Sequence, residues 1–171
     1  MINKKILSEI SLYKGKVKMP KGFEINRSEF VKNIFLSQHY QDFEYPFSIS
    51  FDKLNKYISE YFFLEHRKTL IPKKINGNFY EKGENSKSFL EVDPLDLRNS
   101  ADFVLLYGVE IDSSTCKVEI YYDDNRRKDR SWEVNLENEE FIMFPSSLVY
   151  RIENKNNSSL NFIKKITYTY V

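Results

Sequence analysis

From about residue 77 onward, apolar and polar positions alternate with a period of two. The segments are "GNFYEKG", "KSFLEVD", "ADFVLLYGVEI", "CKVEIYYDD", "SWEVNLENEEFIMF", "SLVYRIEN" and "LNFIKKITYTYV", each set off by polar turns. Successive side chains of a strand point to opposite faces, so this rhythm predicts short strands. Seven of them at this spacing predict a sandwich or a rolled barrel. Within "FIMFPSSLVYRIENK", residues 141–155, the pattern reads as a strand, a tight corner at Phe144-Pro145-Ser146 and a second strand. The polar runs "DDNRRKDR" at 123–130 and "ENKNNSSL" at 153–160 predict connecting turns.

Before residue 77 the rhythm lengthens. "INRSEFVKNIFLSQ" places Phe30, Val31, Ile34 and Phe35 on one helical face, with Ser28 as a candidate cap. "FDKLNKYISEYFFLEHR" repeats Leu54, Tyr57, Ile58, Tyr61 and Phe62 at helical spacing. It predicts an amphipathic helix over 53–66 capped by Asp52, with "YPFSISF" extended before it. No internal repeat or linker interrupts the chain, so residues 1–171 read as one domain. Residues 1–76 form a helical support and 77–171 a β-roll core. The expected class is α+β, mainly β, with a jelly-roll or cupin-like core and N-terminal helices packed on it.

Composition narrows the field. At 171 residues the chain is long enough for a core without metal or disulfide staples. Its 41% hydrophobic and 30% charged residues are ordinary for a globular protein. Lys and Arg number 26 against 25 for Asp and Glu, so no global field draws it to nucleic acid or anionic lipid. No run approaches the ~20 apolar residues that cross a bilayer, and a cytoplasmic, soluble protein is expected. The single cysteine, Cys116, sits in an apolar alternation, which reads as a buried, inert thiol. Gly-rich phosphate loops, Cys-x-x-Cys pairs and Gly-x-Ser-x-Gly elbows do not occur, which removes support for nucleotide hydrolysis and serine catalysis. The "NRRKDR" stretch is offset by Asp123, Asp124 and Asp129 and reads as a solvated hairpin, and Trp132 as a sheet aromatic.

The order of phrases in the β half resembles the Fe(II)/2-oxoglutarate-dependent oxygenases, in particular their prolyl-4-hydroxylase-like branch. The phrases are "FYEKG" (Tyr80, Gly83), "FLEVD" (Glu91, Asp93), "FVLLYGVEI", "VEIYYDD", "FIMFPSSLVYRI" (Tyr150) and "FIKKITYTYV" (Lys164, Lys165), together covering roughly 78–171. The resemblance implies a double-stranded β-helix. It also implies an iron site made by His-x-Asp on one strand and a second His just after the Phe-Pro-Ser corner, with a basic residue on the last strand for 2-oxoglutarate. In this chain Glu91 stands at the first histidine position, Asp93 at the carboxylate position and Tyr150 at the second histidine position.

Strand parity places Glu91 and Asp93 on one face, and sets Tyr150 with Leu148 and Ile152 while Arg151 and Glu153 point away. Facial-triad iron chemistry needs two imidazoles and a carboxylate. A neutral phenol is a poor ligand near pH 7, and a second carboxylate beside Asp93 adds repulsion. The only histidines, His39 and His66, lie in the helical third: His66 reads as a helix-end residue and His39 as a turn or groove residue. On the last strand Lys164 shares the apolar parity of Leu160, Phe162, Ile166 and Tyr168, whereas Lys165 falls with Asn161, Thr167 and Thr169. Lys164 is therefore expected to point inward, either pairing with Glu91 or Asp93 or binding an anion such as 2-oxoglutarate.

The expectation is an oxygenase-like protein that has lost iron binding and serves as a non-catalytic ligand-binding or assembly module, with the Tyr150 hydroxyl bonded to Glu91, Asp93 or Lys164. No metal or cofactor is expected. Fe(II) and 2-oxoglutarate enter only under the alternative, a divergent dioxygenase. A jelly-roll component of a larger assembly is the further alternative. Expected partners are a small ligand, another protein or further copies of the chain, with neither nucleic acid nor membrane.

Overall fold

A computed structural model describes residues 10–40, 48–122, 130–155 and 159–171. The predicted hairpin loop at 123–129, residues 45–47 of "YPFSISF" and 156–158 of the last turn cluster lie outside these. Strand β1 (Tyr13–Lys16) precedes helices α1 (Arg27–His39) and α2 (Ile49–His66). They are followed by β2 (Leu70–Tyr80), β3 (Phe103–Glu110), β4 (Cys116–Tyr122), β5 (Arg130–Asn135), β6 (Glu140–Pro145), β7 (Val149–Asn154) and β8 (Asn161–Tyr170). These strands form a five-stranded sheet, order β1-β6-β3-β8-β2, and a three-stranded sheet, order β5-β4-β7. All their pairings are antiparallel. The two sheets close over one another as the double-stranded β-helix that the alternation and the resemblance predicted.

The larger sheet is buried on both faces. Leu105, Tyr107 and Val109 of β3 join Ile166 and Tyr168 of β8 in a cluster with Phe30, Ile34, Leu54, Ile58 and Phe62 of the helices. Val104 and Leu106 face the other way, towards Val118, Ile120, Tyr150 and Ile152 of the small sheet. A strand sealed on two sides reads as a continuous apolar run, and "FVLLYGV" does so. Within it Gly108 carries no side chain because a Cβ there would lie 2.2 Å from the carbonyl oxygen of Glu137, in the turn between β5 and β6.

Local signals were partly displaced. The N-cap of α1 is Asn26, whose side chain accepts from the Glu29 amide, rather than Ser28. Helix α2 begins four residues before the predicted start, because Ser48 Oγ accepts the Phe51 N–H and outcompetes Asp52 as cap. Ile49–Phe51, expected to be extended, are its first turn. "SWEVNLENEEFIMF" divides into β5 and β6 around a turn containing Glu139 at φ 62°. "KSFLEVD" forms no regular strand and touches β7 through the isolated bridge Phe89↔Tyr150. The change of rhythm at 76/77 falls inside β2, so the N-terminal region also contributes β1 and most of an edge strand to the sheet. Among the described residues no helix is long and apolar enough to cross a membrane.

Candidate functional site

The Phe-Pro-Ser corner sets the position of Tyr150. Ser146 donates its hydroxyl to the Ala101 carbonyl, its amide donates to Asp102 O at 3.0 Å, and Leu148 N–H returns to Pro145 O at 3.1 Å. This fixes the start of β7 and turns Tyr150 into the roll, where it is fully buried. The segment before Glu91 is held against β7 by a pair of backbone bonds, Phe89 N to Tyr150 O at 2.8 Å and Tyr150 N to Phe89 O at 3.1 Å. Ser86 N also donates to Ile152 O at 2.8 Å. Glu91, two residues beyond Phe89, thereby comes to lie over the phenol.

Three side chains converge. The Tyr150 hydroxyl donates to Glu91 Oε1 at 2.7 Å, and Lys165 Nζ approaches the same oxygen at 2.7 Å. Phe89 tilts against the Tyr150 ring at 5.3 Å and Phe144 meets it edge-on at 5.2 Å. The Lys165 ammonium sits 5.0 Å from the Phe89 centroid. Burial, then the charge of Glu91 and the bond to it, push the Tyr150 phenol far above its ordinary pKa, so it stays protonated and acts as a donor. The space left between Tyr80, Phe89, Leu106, Tyr150, Ile163 and Lys165 is about 10 Å³, at most the room of one water.

The other predicted residues stand apart. Asp93 is exposed at the rim, its Oδ1 accepting the Leu95 amide at 2.8 Å and its own amide donating to Ser100 Oγ at 2.9 Å. It shares with Glu91 the wall of a second cavity, of about 280 Å³. Lys164 is on the opposite face of β8 from the roll interior. It is buried beneath α1 with its ammonium 5.3 Å from the Phe30 centroid, and burial lowers its pKa to about 7, partly countered by Glu29.

The expectation that Lys164 points into the roll is therefore corrected: Lys165 does so. The reason is that β8 is covered on both sides, and apolar parity identified the face under the helices rather than the interior of the roll. The signal that finds Lys165 is the polar stripe Asn161, Lys165, Thr167 on a strand too apolar to be an edge, since such a stripe must meet polar groups inside. Asn161 does so, donating to Asn154 Oδ1 at 2.8 Å.

His66 packs between Tyr13 (5.1 Å) and Phe62 (4.5 Å), and His39 stacks on Phe35 at 4.2 Å, both on the helix side of the large sheet. Cys116 is buried between the sheets, and burial pushes its thiol up to about 12. Among the described residues no group of three or more His, Cys, Asp or Glu is arranged to hold a metal ion. The donor set does not fit Fe(II). It offers a phenol that keeps its proton, a carboxylate oxygen already accepting from a hydroxyl and an ammonium, and an aspartate engaged in its own turn.

No family model matches the chain, and no curated protein does. Solved structures do. A prolyl-4-hydroxylase from Pseudomonas putida superposes with a TM-score of 0.62 at 5% identity, covering 94% of this chain and 92% of that one. The non-heme alpha ketoglutarate dependent epimerase SnoN from nogalamycin biosynthesis gives 0.64 at 8% identity, over 92% and 77%. An oxidoreductase of the 2OG-Fe(II) oxygenase family from Burkholderia pseudomallei gives 0.53 at 9% identity; 72% of this chain matches, spanning 57% of that one. At these identities the likeness is one of fold: the chain has the double-stranded β-helix of 2-oxoglutarate/Fe(II) oxygenases.

Proposed function

We propose that this chain is a non-catalytic, ligand-binding relative of those oxygenases, in which protein side chains fill the centre that iron and 2-oxoglutarate occupy in active relatives. The observation that carries the reading is the single Glu91 oxygen shared by the Tyr150 hydroxyl and the Lys165 ammonium, both at 2.7 Å. The half-buried Lys165 ammonium on the last strand invites a carboxylate, and Glu91 supplies one from within the chain. An external dicarboxylate would have to displace Glu91 and leave it half-buried without its cation, which opposes binding.

Metal analysis of protein incubated with Fe(II), and calorimetry with 2-oxoglutarate, test the proposal. Apo protein with no heat is expected. Stoichiometric iron with 2-oxoglutarate-dependent succinate release would overturn the reading in favour of a divergent dioxygenase. The double variant Glu91→His, Tyr150→His restores two imidazoles where two side chains already touch, and is expected to gain Fe(II) affinity that the parent lacks.

A further inference from the structure

The cavity of about 280 Å³ beside Glu91 has an unusual wall. A regular strand sends consecutive side chains to opposite faces, yet Lys73 and Lys74 of β2 both line this one space. The cause is a bulge. Pro72 pairs with Tyr168 and Lys74 with Thr167, so Lys73 is the extra residue and the parity of everything after it is reversed. Without the bulge Lys74 would lie under the helices. The bulge is stabilised from within the cavity, since the Lys74 amide donates to Thr167 Oγ1 at 3.2 Å and Thr167 is part of the lining. Bulges are over-represented at sheet edges, where β2 lies, and beside active sites, where they re-aim a side chain.

The facing wall carries the opposite sign. Glu91, Asp93 and Asp96 come from the turn that closes on itself through Asp96 N to Asp93 O at 3.1 Å and Ser100 Oγ to Asp96 O at 2.9 Å. Asp96 spends both carboxylate oxygens on Asn99, and Lys73 reaches the Asn99 carbonyl. Lys74 lines one side of the cavity, and Asp93, with one carboxylate oxygen on the Leu95 amide, lines the other.

We infer that this cavity binds a small zwitterion of the α-amino-acid class, its carboxylate on Lys74 and Thr167 and its ammonium on Asp93. A ligand of one sign is disfavoured by the opposite bank: the carboxylates repel a simple anion and the lysines a simple cation. The inference names the ligand class of the module proposed above and rests on that reading.

The test uses the full chain and the standard free L-amino acids, screened singly by thermal shift and followed by calorimetry. Glutarate and 1,5-diaminopentane serve as single-sign controls. At least one amino acid is expected to bind more tightly than either control. Lys74→Ala and Asp93→Asn, both at exposed positions, are each expected to weaken it by about tenfold. No shift or heat with any amino acid, tighter binding of glutarate or diaminopentane, or variants that bind like the parent would overturn the inference. The iron analysis separates the two readings: iron-free protein that ignores amino acids sinks this inference alone, and iron-loaded protein sinks the reading beneath it.

Discussion

At the scale of the residue, the filled centre depends on a neutral donor and a cation sharing one half-buried carboxylate oxygen. The two contacts differ in kind. Tyr150→Phe removes a hydroxyl but leaves Glu91 its ammonium, so the expected loss is about 1 kcal/mol. Lys165→Met strands a carboxylate that is 14% exposed, and the expected loss is about 3 kcal/mol. Urea denaturation of the two variants measures both, and a larger loss from Tyr150→Phe would contradict this ordering. Tyr150 was legible from strand parity alone, because Leu148, Tyr150 and Ile152 alternate with the charged Arg151 and Glu153. Lys165 was not, because neighbouring lysines on a doubly covered strand are told apart only by knowing which layer lies on which side.

At the scale of the element, β2 joins the helical layer to the roll. Gly77 leaves room for close packing: a Cβ there would stand 2.6 Å from Ile34 Cγ1 of α1 and 2.8 Å from the Ile163 carbonyl oxygen of β8. The two clashes lie on different elements, so Gly77→Ala must both displace Ile34 of α1 and strain the β2–β8 pairing at the Ile163 carbonyl. A loss of about 1–3 kcal/mol is expected, measured by thermal or urea unfolding. The strands were predictable where alternation was strong, as in β7, and where a short apolar run lay between turn signals, as in β3. β1 was missed, since four residues around a glycine carry too short a pattern. "KSFLEVD" was predicted as a strand, but its isolated bridge at Phe89, with a second at Asn85 just before it, holds it to β7 without a continuous ladder.

At the scale of the whole molecule, two apolar clusters share the five-stranded sheet as their common wall. A fragment starting at residue 77 would lose β1, α1, α2 and the first seven residues of β2, exposing Leu105, Tyr107, Phe141, Ile166 and Tyr168 to water. Such a fragment is expected to aggregate or to remain poorly ordered, with collapsed amide dispersion by NMR, whereas the full chain unfolds in one cooperative transition by calorimetry. A well-dispersed fragment spectrum would show that the helices only decorate an independent roll.

By itself the sequence determined where most strands run, that they roll up behind two helices, where the corner before β7 falls, and that Tyr150 turns inward. Each of these follows from side chains a few positions apart. The tertiary structure alone decided that Lys165 rather than Lys164 meets Glu91, that a bulge turns two adjacent lysines into one cavity, and that Asp93 stays at the rim. Those outcomes depend on which layer covers each face of a strand and on the register with its neighbour, and both are set by contacts between residues far apart in the chain.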